Sequence, residues 1–593
     1  MGIVTTDSMN WWPPGVEEVL GHSPVTTEGR ERGLGCVVVG ELTPGTPGVV
    51  WHGLPLEWYA ELGGDISPMA GAACAELRTG RVPPWMGSGS GTIRVEPWEA
   101  VVASPLTGVQ VLRGDHNDRS YGVGLSTGVS TSVFSLFSVA LSKGDGARTN
   151  ADYSRTQYDL RLDLRLPVVD ACRITIQRGS LDRGDPGPDP RLWPDDGTGD
   201  PRSPWFWVSQ QSGARDAMWL DDRESIDRTL LALQLDVPLR RRPLSAVILE
   251  EELDVERVQS VPIMGDQPVR RIAQGDLRAR RRALVSRVSL VAADEESLWA
   301  GLSLEHVTRD VHLAWSEGDS AWTESLSDEL RRVRAGVGFG LPGIQATFTA
   351  TNSPWGTAFS WGGTAERSFG ALVVDAGMSA TAEERRLEDL WEDRLAGGDT
   401  SPRPRGTLGS AWLEVARESV LGSITAGIAA GWGREVWGWC QDENLAPGAM
   451  RRWGPVSTTA TGVTAAWYAA PARGVEIGAR ARVLPWRVGD DPLARWPETM
   501  GAGTVTLQRA IGRAATPKIN LTVKYVGTRH AGEGGTLALD PYWQVDGHAA
   551  VEIGDFVLRL VVENLTGARH EEERGYSVDG LRFRAGFTWL FWD

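Results

Sequence analysis

Apolar residues recur at every second position over much of the chain. Tyr158, Leu160, Leu162, Leu164 and Leu166 alternate with Asp159, Arg161, Asp163 and Arg165, the period of an extended strand with one apolar and one charged face. Leu231–Leu239, Val333–Leu341, Val475–Val483, Ile519–Tyr525, Phe556–Val562 and Leu581–Phe591 repeat the pattern. The runs approach the 9–11 residues, roughly, with which a tilted strand crosses a bilayer; strands of soluble sandwiches average about 5–6 residues. About sixteen strands are legible in this way, and others are weaker.

Short turns and long polar segments alternate between the strands. Leu181–Trp205, Ala446–Pro455 and Asp490–Glu498 are too rich in Pro and Asp for regular structure. Tight turns on one side and extended loops on the other describe an outer-membrane barrel. The predicted fold is therefore all-β, a large antiparallel transmembrane β-barrel. One segment, Thr381–Ala396, places Leu387, Leu390, Trp391 and Leu395 on one side and reads as a loop helix. The first hundred residues are Pro/Gly-rich with weak periodicity, unlike the remainder of the chain.

Composition sharpens this reading. Hydrophobic residues make up 41% of the 593 residues, but no run approaches the ~18 apolar residues of a spanning helix. The nearest, Val420–Trp432, is broken by Gly, Ser and Thr. The net charge of −17 argues against a nucleic-acid partner. The chain has 27 Trp against 8 Tyr and 11 Phe. Trp193, Trp205, Trp207, Trp219, Trp315, Trp322, Trp355, Trp361, Trp432, Trp437, Trp439, Trp467, Trp486 and Trp496 lie mostly near strand ends, where indole rings form the interfacial girdles of a barrel; the competing assignment is core packing. Met1–Asp7 has neither a basic nor an apolar leader region, so the expected export signal is not visible in this chain.

Candidate chemistry is sparse. Cys36, Cys74, Cys172 and Cys440 lack metal-ligand spacing; Cys36 and Cys74 are either two buried thiols or a disulfide. Gly338–Gly343 matches GxGxxG but ends a strand at a proline and opens no helix, which fails the context of a dinucleotide site. Asp115–Asp118 and Asp195–Asp196 lack EF-hand spacing and read as solvated turns. No nucleophile–base or paired-carboxylate arrangement is specified, so no catalytic, metal or cofactor residue is assigned and the chain is not expected to be an enzyme. Arg240–Arg242, and Arg280–Arg282 with Arg270, Arg271, Arg278 and Arg287, are expected either to face a lumen or headgroups, or to pair with Glu250–Glu252 and Asp254.

The last fifty residues carry the most specific signal. Tyr542–Asp546, Ile553–Phe556, Val562–Glu572 (VENLTGARHEE) and Gly580–Phe591 (GLRFRAGFTWLF) resemble the C-terminal strands of TonB-dependent receptors. Val109–Gly114 (VQVLRG) with Ser120–Gly124 resembles the end of that family's plug domain, and Val50–Leu56 is a fainter echo of it. His570 stands where Tyr is usual, and the chain ends one residue beyond an aromatic, Trp592. The resemblance implies a plug-like domain over residues 1–115 and a barrel of about 22 strands over 116–593. It further implies an outer-membrane receptor that binds, and by energy coupling to a periplasmic TonB-like protein imports, a ligand. The Arg-rich faces favour an anionic one. The other function carried by the same fold is a structural or interaction barrel, a subunit or anchor of an envelope assembly without coupled transport. Outer-membrane lipid is a partner under both.

Overall fold

The computed structural model describes residues 105–592, apart from a few turn residues and the segments 193–202, 210–216, 264–268, 383–405, 442–449 and 531–537, together with the strand segments of the first hundred residues. Twenty-two strands close into one antiparallel barrel. Its first half comprises β1 (Leu106–Gly114), β2 (Arg119–Ser130), β3 (Val133–Gly144), β4 (Tyr153–Leu166), β5 (Val169–Gly184), β6 (Arg223–Leu239), β7 (Arg242–Ile263), β8 (Val269–Ala293), β9 (Glu296–Glu317), β10 (Ser320–Leu341) and β11 (Ile344–Ser353). The second half comprises β12 (Gly356–Phe369), β13 (Leu372–Ala382), β14 (Thr407–Ser419), β15 (Gly422–Gln441), β16 (Met450–Ala472), β17 (Val475–Val483), β18 (Thr499–Gln508), β19 (Thr516–Val526), β20 (Tyr542–Ile553), β21 (Phe556–Glu563) and β22 (Arg582–Trp592). A small hairpin, Trp486–Val488 with Asp491–Pro492, is set into the connection between β17 and β18.

The ring closes by pairing β22 with β1, from Arg584↔Gly114 to Trp592↔Leu106. Val109–Gly114 thus lies in the first barrel strand, and the barrel begins at Leu106. Ahead of it is a four-stranded sheet in the spatial order Leu54–Leu56, Gly48–Trp51, Thr92–Pro97, Ala72–Arg78, with the two central strands parallel. Val49, Val50, Leu54 and Leu56 are buried in it.

Connections on the rim where β1 starts and β22 ends are tight turns, such as Leu341–Ile344 and Ile553–Phe556. The opposite rim carries residues 145–152, 185–222, 383–406, 484–498, 527–541 and 564–581. Some of the segments expected to be irregular are partly regular. Leu181–Gly184 completes β5, Pro204–Ser209 is a short helix, and Met450–Pro455 opens β16. Backbone pairing overrides local composition there. Thr381 and Ala382 end β13, and the rest of the expected loop helix lies outside the described residues.

Burial along the strands is inverted relative to a water-soluble sheet. On β4 the exposed positions include Tyr158, Leu160 and Leu166, whereas Arg155, Gln157 and Arg161 are buried. An apolar outer face and a polar inner face are what a bilayer requires, because lipid covers the first and the lumen takes the second.

Strands β6–β10 are far longer than a crossing, and their polarity changes face along their length. One registered row of outward residues is apolar: Leu233, Ile248, Leu284, Leu304 and Val333. The next outward row toward the long-loop rim is Leu231, Glu250, Arg282, His306 and Arg331. Beyond it the apolar residues move to the inner face, where Leu253, Val255, Leu277, Val307, Val311, Leu313 and Leu330 are buried. The apolar band therefore ends at a single register row, and Leu284–Ala293 is what β8 contributes to the crossing, close to the expected ~10 residues. The strands above this row form a tall wall outside the lipid.

On that wall the Arg run is neutralised across strands. Arg282 Nε lies 3.0 Å from Glu250, Arg280 Nε 3.0 Å from Glu252, and Arg281 Nη1 2.6 Å from Glu251. Arg278 pairs with Asp254. For Arg278 and Arg280–Arg282 the register realises the pairing alternative drawn from the sequence, whereas Arg270 and Arg271 lie beside Asp222 and Glu317, and Arg287 is on the lumen-facing side over Trp299. The side chains of Arg240–Arg242 lie outside the described residues.

Tryptophan and glycine are coupled in this architecture. Trp299 faces Gly338, Trp412 faces Gly377 and Trp432 faces Gly409 across neighbouring strands. A Cβ at Gly338 would sit 1.9 Å from the Trp299 ring, so each indole occupies the place of the missing side chain. The girdle expectation holds for only part of the Trp set. Trp467 is exposed on the outer surface, but Trp207, Trp219, Trp315, Trp486 and Trp496 are buried, and Trp322 stacks on Trp315 on the inner side of the wall. The connections on the long-loop rim are large enough to have cores of their own, and indoles fill them.

Candidate functional site

The inner wall of the barrel carries dense polar side chains, sorted by charge around the ring. On β3–β6 they neutralise one another. Asp159 accepts hydrogen bonds from Gln157 Nε2 and Gln177 Nε2, both at 2.7 Å, and Arg228 donates to Gln157 and Gln177. Arg161 Nε and Arg173 Nε each lie 2.9 Å from Asp163.

On β12–β14 one registered row is acidic, Glu366↔Asp375↔Glu414. Thr464 Oγ1 donates to Glu414 at 3.1 Å. The wall of β17–β21 is basic. Arg480, Arg482, Lys518, Lys524 and Arg559 face inward, with Glu476, Asp546, Glu552 and Glu563 among them. Arg482 also lies over the ring of Trp496, 4.8 Å from its centroid.

Many of these wall residues are shielded from water: Gln157, Gln177 and Thr349 are 0% exposed. A 22-strand barrel encloses a lumen too wide for its own wall side chains to fill.

The long-loop rim is built up by anchored loops. In 185–222, Trp207, Met218 and Trp219 form a small core. Asn150, in a left-handed conformation (φ 59°), donates through Nδ2 to the carbonyls of Asp185, Trp219 and Asp222 at 3.1, 3.3 and 2.9 Å. Arg148 Nη2 donates to the Gly187 carbonyl at 2.7 Å. Asp222, where the loop joins β6, accepts from the Ser260 amide at 2.7 Å and the Ser260 hydroxyl at 2.5 Å. The Arg270 Nη2 is 3.6 Å away, and its guanidinium covers Trp219.

Burial pushes the Asp222 carboxyl up to about 7, against the opposing effect of the Ser260 hydrogen bonds and with a smaller push from Asp185. This has a pH consequence. At low pH the carboxyl is protonated whether or not the loop is anchored; between its ordinary 3.8 and about 7 only the anchored form holds the proton. The anchor must therefore weaken as pH rises through that window. Amide-exchange protection of residues 217–222, corrected for intrinsic rates, is expected to fall roughly tenfold or more from pH 5 to pH 8. Asp222→Asn is expected to flatten this dependence; an unchanged profile in that variant would show that another group controls the loop.

Other sequence features find structural work here. In the Asp115–Asp118 turn, Asp118 accepts from Tyr153 Oη at 2.8 Å and pairs with Arg584, locking the closing strands. His570 stacks on Tyr542 with ring centroids 3.7 Å apart, so an aromatic ring occupies the position where the resemblance expects Tyr. Gly338–Gly343 ends β10 and turns into β11, with Gly343 at φ 72°. Cys172 is a buried free thiol, and the side chains of Cys36, Cys74 and Cys440 lie outside the described residues. Among the described residues no group of His, Cys, Asp and Glu is arranged to hold a metal ion. The charge-sorted wall escaped sequence reasoning, since it depends on which strands become neighbours.

No family profile matches the sequence. No curated protein matches it in a sequence search. Solved structures do match in three dimensions. The unliganded ferric citrate transporter FecA superposes with a TM-score of 0.72 at 12% identity, over 99% of this chain and 96% of that one. The ferric yersiniabactin uptake receptor FyuA of Yersinia pestis gives 0.73 at 12% identity, over 99% and 97%. The copper transporter OprC gives 0.74 at 10% identity, over 98% and 95%.

The fold is that of the TonB-dependent receptors. Within that fold the similarity runs over both the N-terminal region and the barrel, since nearly all of each chain is covered. The TonB-dependent receptor architecture also accounts for the two rims: chain ends and tight turns on one, anchored loops on the other.

Proposed function

We propose that this chain is an outer-membrane receptor that captures a ligand at its long-loop rim and admits it through a plugged lumen, by energy coupling to a periplasmic TonB-like protein. The observation that carries this reading is the burial of the polar inner wall, down to 0% at Gln157 and Gln177. A barrel used only as an anchor has no need of a lumen that is wide and polar. The N-terminal sheet, which precedes the barrel and has its own core, is the segment we assign as plug. Receptors and transporters with this architecture include ones named for ferric citrate, ferric yersiniabactin and copper.

The basic arc on β17–β21 supports an anionic ligand. Cationic side chains in a partly dehydrated wall attract and orient anions more strongly than they would in water. Intrinsic tryptophan fluorescence of the purified barrel, titrated with ferric citrate and with other anionic ferric chelates, tests this. At least one chelate is expected to saturate, with affinity reduced at least tenfold in Arg480→Ala/Arg482→Ala, about 1.4 kcal/mol. Absence of saturation by every chelate, together with an unchanged phenotype when the periplasmic coupling protein is deleted, would favour the structural barrel.

A further inference from the structure

Two cations stand on the lipid-facing side of the barrel near its short-turn rim. The inward row Glu366↔Asp375↔Glu414 fixes the parity of β12–β14, so the next row, Arg367↔Val374↔Val415, points outward. The following outward row, nearer the tight turns, is Phe369↔Leu372↔Arg417↔Ile424↔Trp467. Arg367 and Arg417 are exposed, and so are Phe369, Leu372, Val415 and Ile424 around them. The Arg367 guanidinium lies over the Phe369 ring, 5.3 Å from its centroid. Its side chain therefore runs along the strand toward the rim, as a cation does when it leaves hydrocarbon for headgroups.

Apolar surface continues beyond the two arginines. The turn between β14 and β15 exposes Val420 and Leu421, at 103% and 73%, and Trp467 Nε1 donates to the Leu421 carbonyl at 3.1 Å. A turn bathed in water is ordinarily built from Gly, Asn, Asp, Ser or Pro. This one is apolar and tied to an outward indole, which suits the bilayer interface where indoles collect. The guanidinium groups are thus flanked by apolar surface toward the membrane centre and toward the rim.

Neither has a carboxylate partner among the described residues, and the turns that border them, 370–371 and 420–421, are described. The outward arginines above the lipid band differ in this respect: Arg278 pairs with Asp254, and Arg280 with Glu252 at 3.0 Å. The chain neutralises its outward arginines where they meet water and leaves two uncompensated where they meet lipid.

We propose that Arg367 and Arg417 form a binding site for one anionic phospholipid of the periplasmic leaflet. Their backbones are two strand spacings and one row apart, about 12 Å, a gap that two long side chains close around a single headgroup. Guanidinium forks match phosphate oxygens, and Leu372, Val374, Val415 and Ile424 supply the surface for the acyl chains. Charge selects the lipid. A zwitterionic headgroup brings an ammonium into a site that already holds two positive charges, whereas a net-negative headgroup offsets them. The site depends on where lipid meets the barrel and not on what passes through the lumen.

The test is native mass spectrometry of the full-length barrel, released from detergent micelles that contain equimolar phosphatidylglycerol and phosphatidylethanolamine with chains of distinguishable mass. Phosphatidylglycerol is expected to be retained at least tenfold more than phosphatidylethanolamine. Arg367→Gln/Arg417→Gln, with folding verified by heat-modifiable migration, is expected to bring that ratio close to one. Arg473→Gln/Arg509→Gln removes the same charge from two exposed positions on the same rim and is expected to leave the ratio unchanged. Equal retention of the two lipids by the unaltered barrel would overturn the proposal, as would a ratio that survives the first double substitution. An equal fall in both variants would reduce the preference to net charge and overturn it too.

Discussion

Val337→Arg is expected to lower the stability of the folded barrel by about 2–4 kcal/mol, while Ser325→Arg, on the same face of the same strand, changes it by less than about 1 kcal/mol. Val337 is 53% exposed and its registered neighbours are Ala300 and Phe348. By the rules of a soluble protein an Arg would be harmless at so open a position. It is costly here because the surface around Val337 faces hydrocarbon, where a guanidinium loses its hydration. Ser325 lies beyond the row at which outward residues become charged, in water. Reversible urea unfolding in lipid vesicles measures both variants. Equal effects would show that the apolar band has been placed at the wrong height.

Glu305→Ala is expected to cost about 3–5 kcal/mol, the usual penalty for breaking a buried ion cluster by removing one partner. The Glu305 side chain is 0% exposed and sits among three guanidinium groups: Arg334 Nη1 at 2.9 Å, Arg281 Nε at 3.4 Å and Arg332 Nε at 3.5 Å. Ser303 Oγ donates to it at 2.7 Å. Its loss leaves buried positive charges beside one another, with Glu251 still close to Arg281. Glu305→Gln keeps the shape and removes the charge, so it separates packing from electrostatics; a loss equal to that of the Ala variant would identify charge as the cause. The measurement is again unfolding in vesicles, with heat-modifiable migration as a rapid check. A loss below about 1 kcal/mol, the range of an exposed pair, would mean that water reaches the cluster.

These two residues also show how far the fold could be read from the chain. Val337 belongs to an unbroken alternation, Val333–Leu341, and its strand and lipid-facing side follow from period two alone. The same holds for Tyr158–Leu166 and Leu581–Phe591. Glu305 lies where the alternation slips: in β9 the apolar residues run Leu302 and Leu304 outward, then Val307, Val311 and Leu313 inward. In β7 the slip shows as four consecutive apolar residues, Ala246 to Leu249. A window that follows one phase loses the strand at that point, which is why β6–β10 extend well beyond their legible portions.

The slip has a physical cause. Below that row the outer face meets lipid and the inner face a polar lumen. Above it the outer face meets water and the inner face packs against loops. The remaining misses share this dependence on the fold. Glu366, Asp375 and Glu414 are far apart in the chain and become one acidic row only through pairing. Trp207, Trp219, Trp486 and Trp496 sit at sequence positions indistinguishable from those of interfacial Trp residues, and only loop packing distinguishes them.

The salt bridge between Asp118 and Arg584 sets the order of assembly. Its partners are 466 residues apart, and it belongs to the seam where the first strand meets the last. Every other barrel pairing joins strands that follow one another along the chain, so the sheet can grow from one hairpin to the next. The seam alone must wait until the C-terminal strand is available. Until then β1 and β21 present bare edges that other chains can capture. A chain truncated before Arg582 would therefore aggregate even though most of its cross-strand contacts can still form, and ring closure is the step at which chaperoned delivery to the membrane matters most.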